Sequence, residues 1–288
     1  MVEIMRSRRR RGSDLRAGCV ALRAAAVALL VSSLSLTDIV PGGPSAAMAA
    51  VAAARGPRVA TVAHTPPLRT SCKQVAHLGD STSDGLVEAD FLPDAAQRIP
   101  AQYARVGVSQ SIMEVVGANS IVETLPGDEN GYEIAQGLVA QGYRGCWVMA
   151  LGTNDAADVA VGSNVSLPAR IQRMMSVIGH EPVLWVNVKT LLSSGPYAEA
   201  NMQMWDNALL AACPQYPNMR VFNWAHLANP DWFTTDGIHY TSTGSAVRSA
   251  AIADALATGF PASTVKGAHH NCVVNWSPTW HLPTTYLP

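Results

Sequence analysis

"QVAHLGDSTSDG", residues 74–85, is the stretch whose reading decides the fold. Its first six residues form an apolar run that ends abruptly in Gly79, Asp80 and Ser81. A short run of this kind, bounded by small polar residues, reads as a β-strand buried on both faces. A helix start follows at once, because Ser81-x-x-Asp84 is a capping pattern. A buried strand that delivers a serine at its tip, in front of a helix N-terminus, poses the question of whether that serine is a nucleophile.

Outward from this stretch the chain alternates. Further short apolar runs occur at 103–108 (YARVGV), 146–151 (CWVMAL), 183–188 (VLWVNV) and 219–224 (MRVFNW). Helical spacing lies between them: 130–143 sets Ile134, Leu138 and Val139 on one face, 168–178 opens on Pro168, and 198–213 and 245–257 follow. Strands alternating with helices predict an α/β chain, a three-layer α/β/α sandwich around a parallel sheet of five strands.

The 288 residues are 48% hydrophobic and only 14% charged, enough to bury a sizeable core and unlike a disordered polyelectrolyte. Arg6 and Arg8 to Arg11 precede a 13-residue apolar core at 24–36. That core is shorter than the roughly 20 residues a bilayer span needs, so residues 1–50 read as a signal peptide. Removing them takes away seven Arg and three acids and moves the net charge from −1 to −5. The mature chain therefore carries no basic footprint for nucleic acid. Residues 51–71 read as a linker, 72–260 as the catalytic domain and 261–288 as an irregular tail. The expected location is secreted or cell envelope.

Four cysteines follow the signal segment: Cys72, Cys146, Cys213 and Cys272. An even number in an exported chain suggests two disulfides, with three pairings open. The topology puts all four at the pole away from the strand tips, and the preferred pairing is Cys72–Cys272 with Cys146–Cys213. His269, His270 and His281 have no carboxylate or Cys pattern around them to suggest a metal.

In a doubly wound sheet, ligands bind at the carboxyl ends of the strands. Past the first strand comes Gly79-Asp80-Ser81, past the second Gly107, past the third Gly152-Thr153-Asn154-Asp155, and well past the fifth Asp236-Gly237-Ile238-His239. Each alone is a common turn or cap. Together they supply an acyl-transfer site: Ser81 as nucleophile, His239 as base, and Asp236 to hold the imidazole tautomer. The Ser81 and Gly107 backbone N–H groups and the Asn154 side-chain amide are the candidate oxyanion donors. His77 lies within a strand and reads as structural.

These residues resemble the SGNH hydrolase family, also called the GDSL esterase/lipase family. Gly79-Asp80-Ser81 is similar to its first block, Gly152-Thr153-Asn154-Asp155 to its third and Asp236-x-x-His239 to its fifth. The segment Arg105 to Gln110 looks like the second block of the extracellular SGNH domains of peptidoglycan O-acetyltransferases. The resemblance implies a flavodoxin-like sheet of order 2-1-3-4-5 and a Ser–His–Asp triad with oxyanion donors from Ser81, a block-two Gly and Asn154. It implies an exported serine esterase that needs no metal or organic cofactor and acts on a small acyl ester, a lipid or an acylated glycan. The competing readings are an O-acyltransferase or deacetylase of cell-envelope glycan, and a noncatalytic glycan- or lipid-binding protein using Trp276 and Trp280.

Overall fold

Parallel strands buried on both faces need helices on each side, and the chain supplies them in turn. The computed structural model describes residues 67–263 and 271–275. The expected signal segment 1–50, most of the linker, and His269, His270, His281, Trp276 and Trp280 lie outside the described residues.

The strands are β1 (Gln74–Gly79), β2 (Gln110–Val115), β3 (Cys146–Ala150), β4 (Val183–Val186), β5 (Met219–Phe222) and β6 (Val273–Val274). All pair in parallel, in the order β2-β1-β3-β4-β5-β6. The helices are α1 (Asp84–Val87), α2 (Ile99–Arg105), α3 (Gly131–Ala140), α4 (Thr153–Ala160), α5 (Leu167–Ile178), α6 (Glu199–Ala212), α7 (Trp224–Leu227) and α8 (Ser242–Gly259).

Side-chain alternation along the strands divides the core in two. Val75, Val148, Leu184 and Phe222 pack against α1, α2 and α8. Ala76, Leu78, Trp147, Met149, Trp185 and Val221 pack against α3, α5 and α6 on the other face. Helix α8 is buried from Gly244 to Ala257, and its many alanines allow that close approach. Among the described residues no helix is long and apolar enough to cross a membrane.

The expected α/β/α sandwich and the order 2-1-3-4-5 are present, with three differences. Residues 103–108 are not the second strand. Tyr103 and Val106 are apolar because they are the fully buried end of α2 and the turn after it. The strand is β2, a half-exposed edge whose Gln110, Ser111 and Glu114 break any continuous apolar run. The sheet has six strands rather than five, because Val273 and Val274, in the expected irregular tail, pair with Val221 and Phe222. Thr70, ahead of β1, is buried and bridges Pro261.

The third difference is the disulfides, which join Cys72 to Cys146 and Cys213 to Cys272, not the preferred alternation. Strand adjacency explains it. Cys72 precedes β1 and Cys146 opens β3, its neighbour, where Val75 lies opposite Cys146. Cys213 ends α6 just before β5, and Cys272 leads into β6 beside it.

The loop between β2 and α3 is anchored by a buried charge pair. Arg170 of α5 and Asp155 of α4 are both fully buried, with Nη1 2.9 Å from Oδ1. The same Asp155 oxygen accepts from the Ile121 backbone N–H at 3.0 Å, and Arg170 Nη2 reaches Glu123 at 2.8 Å. The loop that leaves β2 at the site-bearing pole is therefore tied to two helices.

Replacing Cys213 and Cys272 together with Ser reopens a loop of sequence separation 59. Loop entropy sets the loss at up to about 4 kcal/mol. Amide exchange should accelerate first at Val221 and Asn223, whose N–H groups bond to Cys272 and Val274. Arg170→Met should cost about 3–5 kcal/mol in denaturant unfolding, because it strands a buried carboxylate. Adding Asp155→Asn, which keeps an acceptor for Ile121, should recover more than half of that loss.

Candidate active site

The turn that carries Ser81 is built on Asp80, whose buried side chain caps the 3₁₀ turn Ser81–Ser83. Asp80 Oδ1 accepts from the Thr82 N–H at 2.9 Å and from the Thr82 hydroxyl at 2.6 Å. Gly79 gives the turn room: a Cβ there would lie 2.6 Å from Ser83 Oγ. From beneath, the buried Arg248 guanidinium donates to the Thr82 carbonyl at 2.9 Å. The half-buried Ser81 hydroxyl is thus presented at the tip of a central strand by a floor that is polar and hydrogen-bonded.

The partner of Ser81 arrives from residues 234–239. His239 Nε2 lies 2.9 Å from Ser81 Oγ, and His239 Nδ1 lies 2.7 Å from Asp236 Oδ2. The other Asp236 oxygen organises its own loop, accepting from Thr234 Oγ1 at 2.7 Å, Ile238 N–H at 2.8 Å and His239 N–H at 3.0 Å. Burial is the largest single influence and pushes the Asp236 carboxyl up, but the hydrogen bonds from His239, Ile238 and Thr234 together outweigh it and hold the group well below the usual carboxylate range. An ionised Asp236 makes Nδ1 the protonated nitrogen and leaves Nε2 to accept from Ser81. The structure therefore brings Ser81, His239 and Asp236 into one hydrogen-bonded line.

Asn154 follows β3 on Gly152, whose φ of 137° and contact with Trp205 leave no space for a side chain. Its Nδ2 donates to the Asn119 carbonyl at 2.9 Å and approaches Asp80 Oδ2 at 3.4 Å. Asn154 thus stands beside Asp80, the residue that precedes Ser81.

Gly107 is not brought to the site. It lies between α2 and β2, where Lys73 Nζ reaches its carbonyl at 3.4 Å. Lys73 precedes β1, so Gly107 occupies the pole where strands begin, a full strand length from Ser81. Once β2 is placed at 110–115, the glycine at the correct pole is Gly117. The preceding Val116 donates its N–H to the Gly79 carbonyl at 3.1 Å. The signal that could have found it is Val115-Val116-Gly117-Ala118-Asn119, a glycine turn that follows a partly alternating strand.

His77 is buried in β1, as its position predicted, with Nδ1 2.8 Å from the Tyr103 hydroxyl. Burial, aided by the Arg248 charge, lowers its pKa to about 3, which keeps the ring neutral. Asp84, beside the nucleophile turn, is pushed up to about 6 by burial and by the nearby Asp80 and Glu88 carboxylates. Among the described residues no group of three or more His, Cys, Asp or Glu side chains is arranged to hold a metal ion.

No protein-family model matches the sequence, and no curated protein matches it. Solved structures do. The lipase/acylhydrolase from Enterococcus faecalis is 14% identical, over 67% of this chain and 100% of that one, with a TM-score of 0.52. A carbohydrate acetylesterase family member from Sinorhizobium meliloti is also 14% identical, over 63% and 93%, at 0.48. The C-terminal catalytic domain of peptidoglycan O-acetyltransferase A from Streptococcus pneumoniae is 14% identical, over 65% and 92%, at 0.45. The fold of this chain is the α/β/α fold of the Enterococcus faecalis lipase/acylhydrolase, the architecture that the resemblance to SGNH hydrolases implied.

Proposed function

We propose that this chain is an exported serine esterase of the SGNH type that hydrolyses an acyl ester. The observation that carries the reading is the hydrogen-bonded line from Ser81 Oγ to His239 Nε2 at 2.9 Å and from His239 Nδ1 to Asp236 at 2.7 Å. A serine hydroxyl needs a base within such reach to become nucleophilic.

In the proposed reaction, Ser81 Oγ attacks the acyl carbonyl while His239 Nε2 takes its proton. Asp236 keeps the imidazole in the correct tautomer and stabilises the imidazolium. The oxyanion is met by the Ser81 N–H, the Gly117 N–H and the Asn154 amide, with Gly117 in the role first expected of Gly107. His239 then protonates the departing alcohol, and water resolves the acyl-enzyme through the same base. None of these steps calls on a metal or an organic cofactor. The two disulfides support an oxidising location, secreted or in the cell envelope.

A second reading is supported by the openness of the site. The His239 and Asp236 side chains are 40% and 47% exposed, so an acyl-enzyme would be accessible to a glycan hydroxyl as well as to water. An O-acyltransferase would use the same first half-reaction and differ only in acceptor.

Short p-nitrophenyl esters should be hydrolysed by the wild type, and Ser81→Ala should abolish that turnover. A fluorophosphonate should label Ser81 stoichiometrically. Unlabelled wild type, or undiminished Ser81→Ala, would overturn the mechanism. Asp236→Asn should lower kcat by about 10⁴-fold while still allowing the ester to bind. Product partition in the presence of added glycan distinguishes hydrolysis from transfer, because only transfer yields acylated sugar.

A further inference from the structure

We propose that Tyr197 is a positioning residue for the reaction: its hydroxyl fixes the Asn154 amide so that Nδ2 faces the developing oxyanion. The inference rests on the esterase reading above.

An asparagine amide can be seated in two ways that differ by a half-turn, and only one presents a donor to the oxyanion. The other presents Oδ1, which would repel the negative charge. Two partners select the productive orientation. The Asn119 carbonyl, which can only accept, lies 2.9 Å from Nδ2. The Tyr197 hydroxyl donates to Oδ1 at 2.9 Å. Burial, together with the Asp158 and Asp80 charges, raises the Tyr197 pKa, so the hydroxyl keeps its proton and remains a donor. With Oδ1 engaged and one Nδ2 hydrogen on Asn119, the second hydrogen has only the 3.4 Å contact with Asp80 Oδ2. That is the hydrogen available to the substrate. Donation to Oδ1 also polarises the amide and strengthens Nδ2 as a donor.

Tyr197 is itself held in place. Its carbonyl accepts from the Thr190 hydroxyl at 2.7 Å, and the Thr190 N–H is tied to Glu199 Oε2 at 2.9 Å. The next residue, Leu191, donates its N–H to the Gly237 carbonyl at 2.8 Å. Gly237 lies between Asp236 and His239. The segment after β4 thus touches the oxyanion donor at one end and the base-bearing loop at the other. In the sequence this segment carries no motif.

The test is a double-mutant cycle on ester hydrolysis. Tyr197→Phe should lower kcat about tenfold, the worth of one neutral hydrogen bond, with KM nearly unchanged. Asn154→Ala should lower it about 10²–10³-fold. The double variant should be no slower than Asn154→Ala alone. A Tyr197→Phe effect of equal size in both backgrounds, or no effect in either, would overturn the proposal. A thermal melt of Tyr197→Phe, expected to match the wild type, separates positioning from unfolding. Fluorophosphonate labelling keeps the two readings apart. A wild type that labels while Tyr197→Phe is kinetically silent ends this inference alone, whereas a wild type that does not label ends both.

Discussion

A buried guanidinium under the Ser81 turn holds the two halves of the candidate site together. Arg248 sits on α8, 2% exposed, and donates to the Thr82 carbonyl next to Ser81. Its other face packs over the Tyr240 ring at 5.1 Å and the Trp224 ring at 5.9 Å. Tyr240 directly follows His239, and its hydroxyl accepts from Trp224 Nε1 at 2.7 Å. One cation therefore contacts the neighbour of Ser81 and the neighbour of His239, residues that lie 158 positions apart in sequence. A buried charge is tolerated only where hydrogen bonds and opposite charge surround it. The Thr82 carbonyl at 2.9 Å and the Ser83 hydroxyl at 3.4 Å accept from Nη1, and the two rings face the cation, while Nε has no hydrogen-bond partner among the described residues.

The placement of rigidity follows the same logic. Both disulfides lie at the pole where strands begin, tying β1 to β3 and the turn before β5 to the segment entering β6. At the opposite pole the loops are held by hydrogen bonds and charge pairs: Arg170 with Asp155 after β2, Thr190 with Tyr197 after β4, Asp236 within its own turn. Covalent links there would have to span loops that must also leave an approach to Ser81. Non-covalent links orient side chains without closing the mouth of the site.

Much of this was legible in the sequence, and the parts that were not share a cause. Strands β1, β3, β4 and β5 are interior, so their apolar runs are continuous and read directly. Strand β2 is an edge, and its Gln110, Ser111 and Glu114 break the pattern, while the end of α2 imitates a strand because it is buried. The misplaced strand carried Gly107 with it and hid Gly117. Strand β6 is two residues long and has no periodicity to read; only pairing with β5 creates it. Asp236 and His239 were legible because one turn joins them. Ser81 and Asn154 were legible because they follow strong strands. Tyr197 was not, since its meaning is a contact to a residue 43 positions away.

The exposure of His239 and Asp236 sets what Asp236 can contribute in the proposed reaction. With its side chain 47% exposed and the His239 side chain 40% exposed, the charge of Asp236 is screened by solvent. Its long-range attraction for an imidazolium is therefore weak compared with that of a buried carboxylate. What remains is geometry: three donors fix one oxygen, so the other has no freedom to leave His239 Nδ1. The carboxylate is held ionised by short hydrogen bonds in its own loop, and in the proposed reaction its main service is to choose the tautomer and the ring angle. Positioning then recurs as the common device of this site. Asp236 is bonded to His239, Tyr197 is proposed to orient Asn154, and Arg248 braces the turn that carries Ser81. In each pair the orienting group is fixed by further hydrogen bonds before it acts on the reactive one, so the geometry exists before any substrate arrives.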